Sequence, residues 1–125
     1  MNMRRILLEI PGPPVPKERP RKGRYGNFYT PETTRRYEER IRWAFIEKYG
    51  GVHEPWAGPV SMIVKVYMKK PTARPDGSNI IKLIEDALNG LAYRDDAQIV
   101  DSRMIKARAV NSRGWVSIHV EEIKP

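Results

Sequence analysis

The chain has 125 residues, of which 40% are hydrophobic, and this suffices for one domain with one modest core. Its 23 Lys and Arg against 15 Asp and Glu give a formal net charge of +8, which favours a polyanionic partner such as nucleic acid. The absence of cysteine excludes disulfides, thiol nucleophiles and cysteine-based zinc sites, and two distant histidines give little for a zinc site, so a metal ion would be bound by oxygen. Without an apolar run of about 20 residues or a secretory signal, we expect a cytoplasmic protein that does not bind membranes.

The first predicted element is a strand from Arg5 to Ile10, which ends at Pro11-Gly-Pro-Pro14 because proline cannot donate to a β-ladder. A proline-rich extended stretch leads into a basic loop, and three aromatic residues follow it closely. The loop contributes five candidate DNA-binding residues: Lys17, Arg19, Arg21, Lys22 and Arg24. Such charges can hold phosphates while nearby rings stack on unpaired bases, but an ordinary solvated loop has the same composition.

Thr30-Pro31-Glu32 predicts a helix start, with a hydroxyl N-cap, proline at the first helical position and an acid in the first turn. This helix continues to Gly50-Gly51 with Tyr37, Ile41 and Phe45 on one face. Its arginines are expected to form a charged face paired with glutamates of the same helix, rather than to contact DNA individually.

The segment Val60 to Met68 predicts a strand and leads to Lys69, Lys70 and Arg74, further candidates for DNA binding. A second helix is predicted from about Ser78 to Asn89, closed by Gly90. Two more strands, Met104 to Val110 and Trp115 to Ile123, are predicted with a hairpin turn at residues 111–114. The order β-α-β-α-β-β predicts a single two-layer α+β domain over residues 1–125, with a mixed sheet and two main helices.

Acidic residues concentrate around the second predicted helix of this basic chain. At about 100° per residue, Ser78, Lys82 and Glu85 share one face, with Asn79 and Asp86 beside it. Asp76 precedes the helix and Asp95-Asp96 follows it. Grouped carboxylates suit Mg²⁺, which takes oxygen ligands, holds a scissile phosphate and activates the attacking water. The spacing equally allows a helix cap, an i, i+4 ion pair and a polar turn.

These residues carry a resemblance to a known family. Pro75-Asp-Gly-Ser-Asn79, Lys82, Asp86-Ala-Leu-Asn-Gly90 and Asp95-Asp-Ala-Gln-Ile99 resemble the signature of the RusA family of Holliday-junction resolvases. The amino-terminal Ile10-Pro-Gly-Pro-Pro14, the basic loop and Tyr29-Thr-Pro31 are similar to prophage members of that family, so the resemblance covers nearly the whole chain.

The resemblance implies a homodimeric endonuclease that depends on Mg²⁺, with Mn²⁺ as a substitute, and nicks four-way DNA junctions symmetrically in recombination and repair. It implies catalytic roles for Asp76, Lys82 and Asp96, with metal binding by Asp76 and Asp96 and a supporting role for Asn79. Asp86 is a further supporting candidate beside this set.

Ser78 departs from the family pattern, because it stands where the family has a second metal-binding aspartate. A serine hydroxyl is a poorer ligand for a hard divalent cation. One explanation is that Glu85 supplies the missing charge, or that Asp86 or Asp95 does so. The other is that the chain binds junctions but cuts poorly or not at all. A non-catalytic nucleic-acid-binding protein and a general nuclease for branched DNA therefore remain alternatives.

Overall fold

A computed structural model describes residues 4–17, 21–26, 28–29, 31–72 and 76–123, with only the backbone described at residues 21, 28 and 29. Arg19 and Arg74 therefore lie outside the described residues, as does the predicted N-cap residue Thr30. Within the described ranges the strands are β1 (Arg5–Pro11), β2 (Arg21–Lys22), β3 (Phe28–Tyr29), β4 (Val60–Met68), β5 (Ile99–Arg108) and β6 (Trp115–Glu122). The α-helices are α1 (Glu32–Tyr49) and α2 (Gly77–Ala87), and a 3₁₀ helix spans Asp96–Gln98.

Four of these strands form one mixed sheet in the order β1-β6-β4-β5. Strand β4 is parallel to β5 and antiparallel to β6, and β6 is antiparallel to β1. The chain connects β4 to β5 through α2, a crossover that parallel neighbours require. The predicted two-layer α+β domain with a mixed sheet and two main helices is confirmed.

The core lies between one face of this sheet and the two helices. Strand β4 alternates strictly between buried and half-buried side chains, as the period of two predicts for a central strand with one covered face. Helix α1 contributes Tyr37, Ile41 and Phe45 to the core, and α2 contributes Ile80 and Leu83. Each helix therefore docks by one apolar face and leaves its polar face toward solvent.

The predicted hairpin between the last two strands is wrong, because β4 lies between β5 and β6 in the sheet. The connection crosses the end of β4 instead, where the Ala109 amide donates to the Met68 carbonyl at 2.9 Å. Gly114 passes directly over the carbonyl of Tyr67 with φ of +94°, and a Cβ there would overlap that oxygen. The turn residues were identified from the sequence, but local turn chemistry does not determine which strand occupies the space between two others.

Other boundaries differ from the predictions by small amounts. Pro31 occupies the N-cap of α1 rather than its first helical position, and α2 ends at Ala87, two residues before the predicted end. Strand β5 begins at Ile99, five residues earlier than predicted, and the predicted basic loop contains the short β2–β3 ribbon. In the part of the chain that the structure describes, neither helix has the length and apolar character needed to cross a membrane.

Candidate active site at the two ends of helix α2

Asp76 forms the N-cap of α2. Its Oδ1 accepts a hydrogen bond from the Ser78 amide at 3.2 Å, which satisfies one of the free N–H groups at the start of the helix. The first helical residue, Gly77, lies so close to Met104 of β5 that a Cβ would overlap the methionine methyl group. Asp76 is exposed, and among the described residues no hydrogen bond to its Oδ2 is formed. The cap predicted as an alternative is thus formed, but it does not prevent metal binding.

After α2 the chain folds back on the last turn of the helix. Tyr93 is fully buried, and its hydroxyl donates to the Glu85 carbonyl at 2.6 Å. The Gly90 amide donates to the Tyr93 carbonyl at 2.8 Å, and Gly90 has φ of +82°, a conformation that glycine adopts without strain. From α1, Arg42 donates to the Ala87 carbonyl at 2.9 Å and so caps the carboxyl end of α2. These contacts bring residues 95 and 96 beside the last turn of the helix.

Gln98 anchors the 3₁₀ helix that carries Asp96. Its Oε1 accepts from the Asp95 amide at 2.9 Å, while its Nε2 donates to the carbonyls of Trp56 and Gly58, both at 2.7 Å. The two bonds from Nε2 tie the segment to the chain that leads into β4, and the bond to the Asp95 amide closes the segment on itself. Gln98 belongs to the Asp95–Ile99 motif of the family resemblance, but no anchoring role was predicted for it. The Asp95-x-x-Gln98 spacing of a capping box was nevertheless visible in the sequence.

We define the acidic cluster as Glu85, Asp86, Asp95 and Asp96. The pKa of the Asp96 carboxyl is raised by desolvation and then by its interactions with Asp95 and Asp86, including hydrogen bonds to both side chains. Desolvation also raises the pKa of Glu85, followed by the negative charges of Asp96 and Asp86, while Lys82 opposes the shift. Like charges this close to one another favour either a shared proton or a cation.

Lys17 reaches this cluster from the start of the basic loop. Its backbone amide donates to the Asn79 carbonyl at 3.0 Å, and its ammonium forms an ion pair with Asp86 Oδ2. Glu38 Oε1 of α1 lies 3.8 Å from the same nitrogen. Burial lowers the pKa of Lys17, but the hydrogen bond to Asp86 and the neighbouring negative charges outweigh it and raise the pKa overall. Asp86 therefore pairs with Lys17, not with Lys82 as the helical spacing had allowed.

Glu38 is a site neighbour that the sequence did not reveal. Desolvation raises the pKa of its carboxyl, and the charge of Lys17 opposes that shift. In the sequence it was one of several glutamates on a charged helix face. Only the packing of α1 beside α2 brings it to Lys17, and spacing along one helix cannot report such a contact.

The structure does not bring Asp76 and Asp96 together within one copy of the chain. Asp76 caps the first turn of α2, whereas Asp96 interacts with Asp86 in the last turn. Asp76 and Asp86 are ten positions apart, about 15 Å along the helix axis at the usual rise. Ser78 and Lys82 are exposed between these ends. Among the described residues, no three acidic or histidine side chains already surround one point where a metal could bind.

Apart from Lys17, the predicted DNA-binding residues whose side chains are described are exposed. Lys22 and Arg24 are exposed on and after β2, next to Tyr25, which is 90% exposed. Lys69 and Lys70 are exposed just after β4. Lys69 also lines a groove with Arg108 and Arg113, two basic residues that the sequence reasoning did not select. The sheet topology accounts for their proximity, since the crossing after β5 passes the end of β4.

We expect Gln98→Leu to destabilise the protein by about 2–4 kcal/mol, because it removes three hydrogen bonds and takes away the partners of the Gly58 carbonyl and the Asp95 amide. Chemical denaturation with urea measures this loss. Ala97→Ser, at the exposed neighbouring position, serves as the control and should change stability by less than about 0.5 kcal/mol. Equal stability of the Gln98→Leu protein and the wild type would show that this anchor is unimportant.

Residues 11–121 match the family model described as endodeoxyribonuclease RusA. The chain is also similar to the protein named uncharacterized protein YqaN of Bacillus subtilis (strain 168), with 29% identity over 143 aligned positions that cover 94% of this chain and 96% of the relative. The family match includes both ends of α2, the acidic cluster and most of the basic surface.

Proposed function

The chain belongs to the RusA family of endodeoxyribonucleases, and we propose that it resolves four-way DNA junctions by paired nicks in recombination and repair. The family makes it a hydrolase that acts on DNA. The more specific proposal rests on one observation. Glu85, Asp86 and Asp96 lie together at one end of α2, in a chain of net charge +8. A basic surface holds the DNA backbone, while a local acidic cluster within it suits a divalent cation. We place this activity in the bacterial cytoplasm, on chromosomal or phage DNA.

The donor chemistry of this region fits Mg²⁺ or Mn²⁺. The cluster offers carboxylate oxygens, which hard divalent cations prefer, and the neighbouring Asp95 and Asp86 contribute to the raised pKa of Asp96. We propose that Asp96, Asp95 and Glu85 bind the metal together with Asp76, and that Asp86 supports them. When bound, the metal would neutralise the scissile phosphate and activate the attacking water. The Glu85 carboxylate at this end supports the view that another acid compensates for Ser78.

Lys82 is suited to a different part of the reaction. It lies exposed midway along the polar face of α2, and its positive charge acts on Glu85. We assign it the neutralisation of charge that develops on the phosphate, a role that suits a compact ammonium group. Lys22, Arg24, Lys69 and Lys70 would hold the flanking DNA backbone, since their side chains are exposed.

A homodimer would bring the first turn of α2 in one copy beside the last turn of α2 in the other copy. If two copies place their α2 helices antiparallel across a two-fold axis, the Asp76 end of each helix lies beside the acidic cluster of the other. This arrangement gives two identical composite sites, as paired nicking requires. Because each site would gather several carboxylates, a bound cation should also favour the dimer.

A catalytically weak junction-binding protein is the second candidate. Ser78 and the distance between Asp76 and Asp96 in one copy favour it, and the positive charge alone would suffice for binding. The two candidates differ in their need for metal, because a binding protein recognises junctions without Mg²⁺ and does not cut them.

The function is tested with a labelled synthetic four-way junction and a linear duplex of matching sequence, each with Mg²⁺, with Mn²⁺ and with EDTA. We expect paired nicks in the junction alone, only with a divalent metal. Cutting of other branched substrates at equal rates would favour a general branched-DNA nuclease. Binding without cleavage under all conditions would contradict the proposed activity and support the second candidate.

A further inference from the structure

The position of Lys17 differs from that of the other predicted DNA-binding residues. Its side chain is about one-third exposed, whereas Lys22 and Arg24 are exposed residues. Two bonds fix it to α2, one from its backbone amide to the Asn79 carbonyl and one from its ammonium to Asp86. Glu38 Oε1 of α1 lies 3.8 Å from the same ammonium nitrogen. Lys17 is therefore held by the acidic cluster and is not free to bind phosphate.

We propose that Lys17 is the internal counter-cation of the acidic cluster and that, through its ion pair with Asp86, it competes with the divalent metal for the negative charge of that cluster. This inference rests on the proposed metal site and adds a positioning residue to it. An ammonium and a divalent cation both seek carboxylate oxygens, and the Asp86 oxygen that Lys17 occupies is not available to a second cation without rearrangement.

Lys17 is the first residue of the basic loop. Once the metal takes over the carboxylates, the ammonium is free to contact a DNA phosphate beside the site. Metal binding and DNA binding would then each strengthen the other, as linkage requires for two ligands that favour the same state. In the metal-free protein, the Lys17 ammonium also reduces the repulsion between the carboxylates of the acidic cluster.

The inference is tested by the affinity of the free protein for Mn²⁺, measured by calorimetry without DNA. We expect Lys17→Met to bind Mn²⁺ about three- to tenfold more tightly than the wild type, because the competing ammonium is gone. Lys17→Arg keeps the charge and should bind as the wild type does. Lys65→Met on β4 makes the same change in net charge away from the cluster and should also leave the affinity unchanged. Equal or weaker Mn²⁺ binding by Lys17→Met, or none by any of these proteins, would overturn the proposal.

A second measurement uses the wild type and does not depend on the folding of a variant. Mg²⁺ should increase the rate at which an amine-reactive reagent labels Lys17, since release from Asp86 and Glu38 exposes the side chain, while labelling of Lys65 stays constant. A Lys17 rate that Mg²⁺ does not raise would contradict the proposal. Neither the Mn²⁺ affinity nor the labelling rate requires DNA cleavage. Failure of the nuclease activity in the junction assay can therefore be distinguished from failure of this inference.

Discussion

Asp96→Asn and Asp76→Asn are each expected to reduce metal-dependent junction cleavage by at least about 100-fold, since stabilisation by a bound metal contributes several kcal/mol and each 1.4 kcal/mol corresponds to tenfold. Junction binding should be unchanged or tighter, because each substitution removes a negative charge that faces the DNA backbone. Single-turnover cleavage and a gel-shift titration in EDTA measure the two effects separately.

Asp101→Asn provides the matched control. Asp101 is an exposed carboxylate on β5 that forms an ion pair with Arg103 at 3.6 Å, and its substitution makes the same change in charge outside the acidic cluster. We expect it to retain the cleavage rate within about twofold, because an exposed ion pair contributes little. Full activity of Asp96→Asn would remove this residue from the site, and lost junction binding would indicate a structural defect instead.

A purified heterodimer of one Asp76→Asn copy and one Asp96→Asn copy is expected to regain cleavage that both variant homodimers lack. In the proposed antiparallel dimer, one composite site receives both substitutions and the other receives none. The heterodimer should therefore cut at one of its two sites, with nicks in one strand and not in pairs. Two different affinity tags on the coexpressed copies isolate this species.

The control is a heterodimer of Asp96→Asn with the double variant Asp76→Asn, Asp96→Asn, which has no intact site in any arrangement and should stay inactive. If Asp76 and Asp96 instead act within one copy, each site of the first heterodimer carries one substitution. It would then be as inactive as the variant homodimers, and the composite site would be wrong.

Local sequence signals predicted most of the fold. The partial alternation in Val60–Met68 identified a strand with its observed bounds, and the helical spacing of Ile80, Ile84 and Ala87 identified the apolar face of α2. The order of strands in the sheet did not follow from such signals. The turn around Gly114 looks like a hairpin locally, but the tertiary placement of β4 turns it into a crossing.

For the candidate site, too, the sequence predicted the residue types but not the distances between them. The carboxylates around α2 were identified from their type and spacing, and the resemblance assigned Asp76 and Asp96 to one centre. Spacing along a helix does not measure the distance between its ends, so the separation of these two residues emerged only from the structure. Glu38 of α1 and Asp86 of α2 meet at the Lys17 ammonium, an arrangement that depends on how α1 packs beside α2.

The most direct test of the composite site is the number of Mn²⁺ ions bound by the purified heterodimer of the Asp76→Asn and Asp96→Asn copies, measured by calorimetry against both homodimers. The account predicts tight binding at half the wild-type stoichiometry for the heterodimer and at least about tenfold weaker binding for each homodimer, because only the heterodimer retains one site with all its carboxylates. Binding by the heterodimer that is no tighter than that of the homodimers would contradict a metal site shared between two copies.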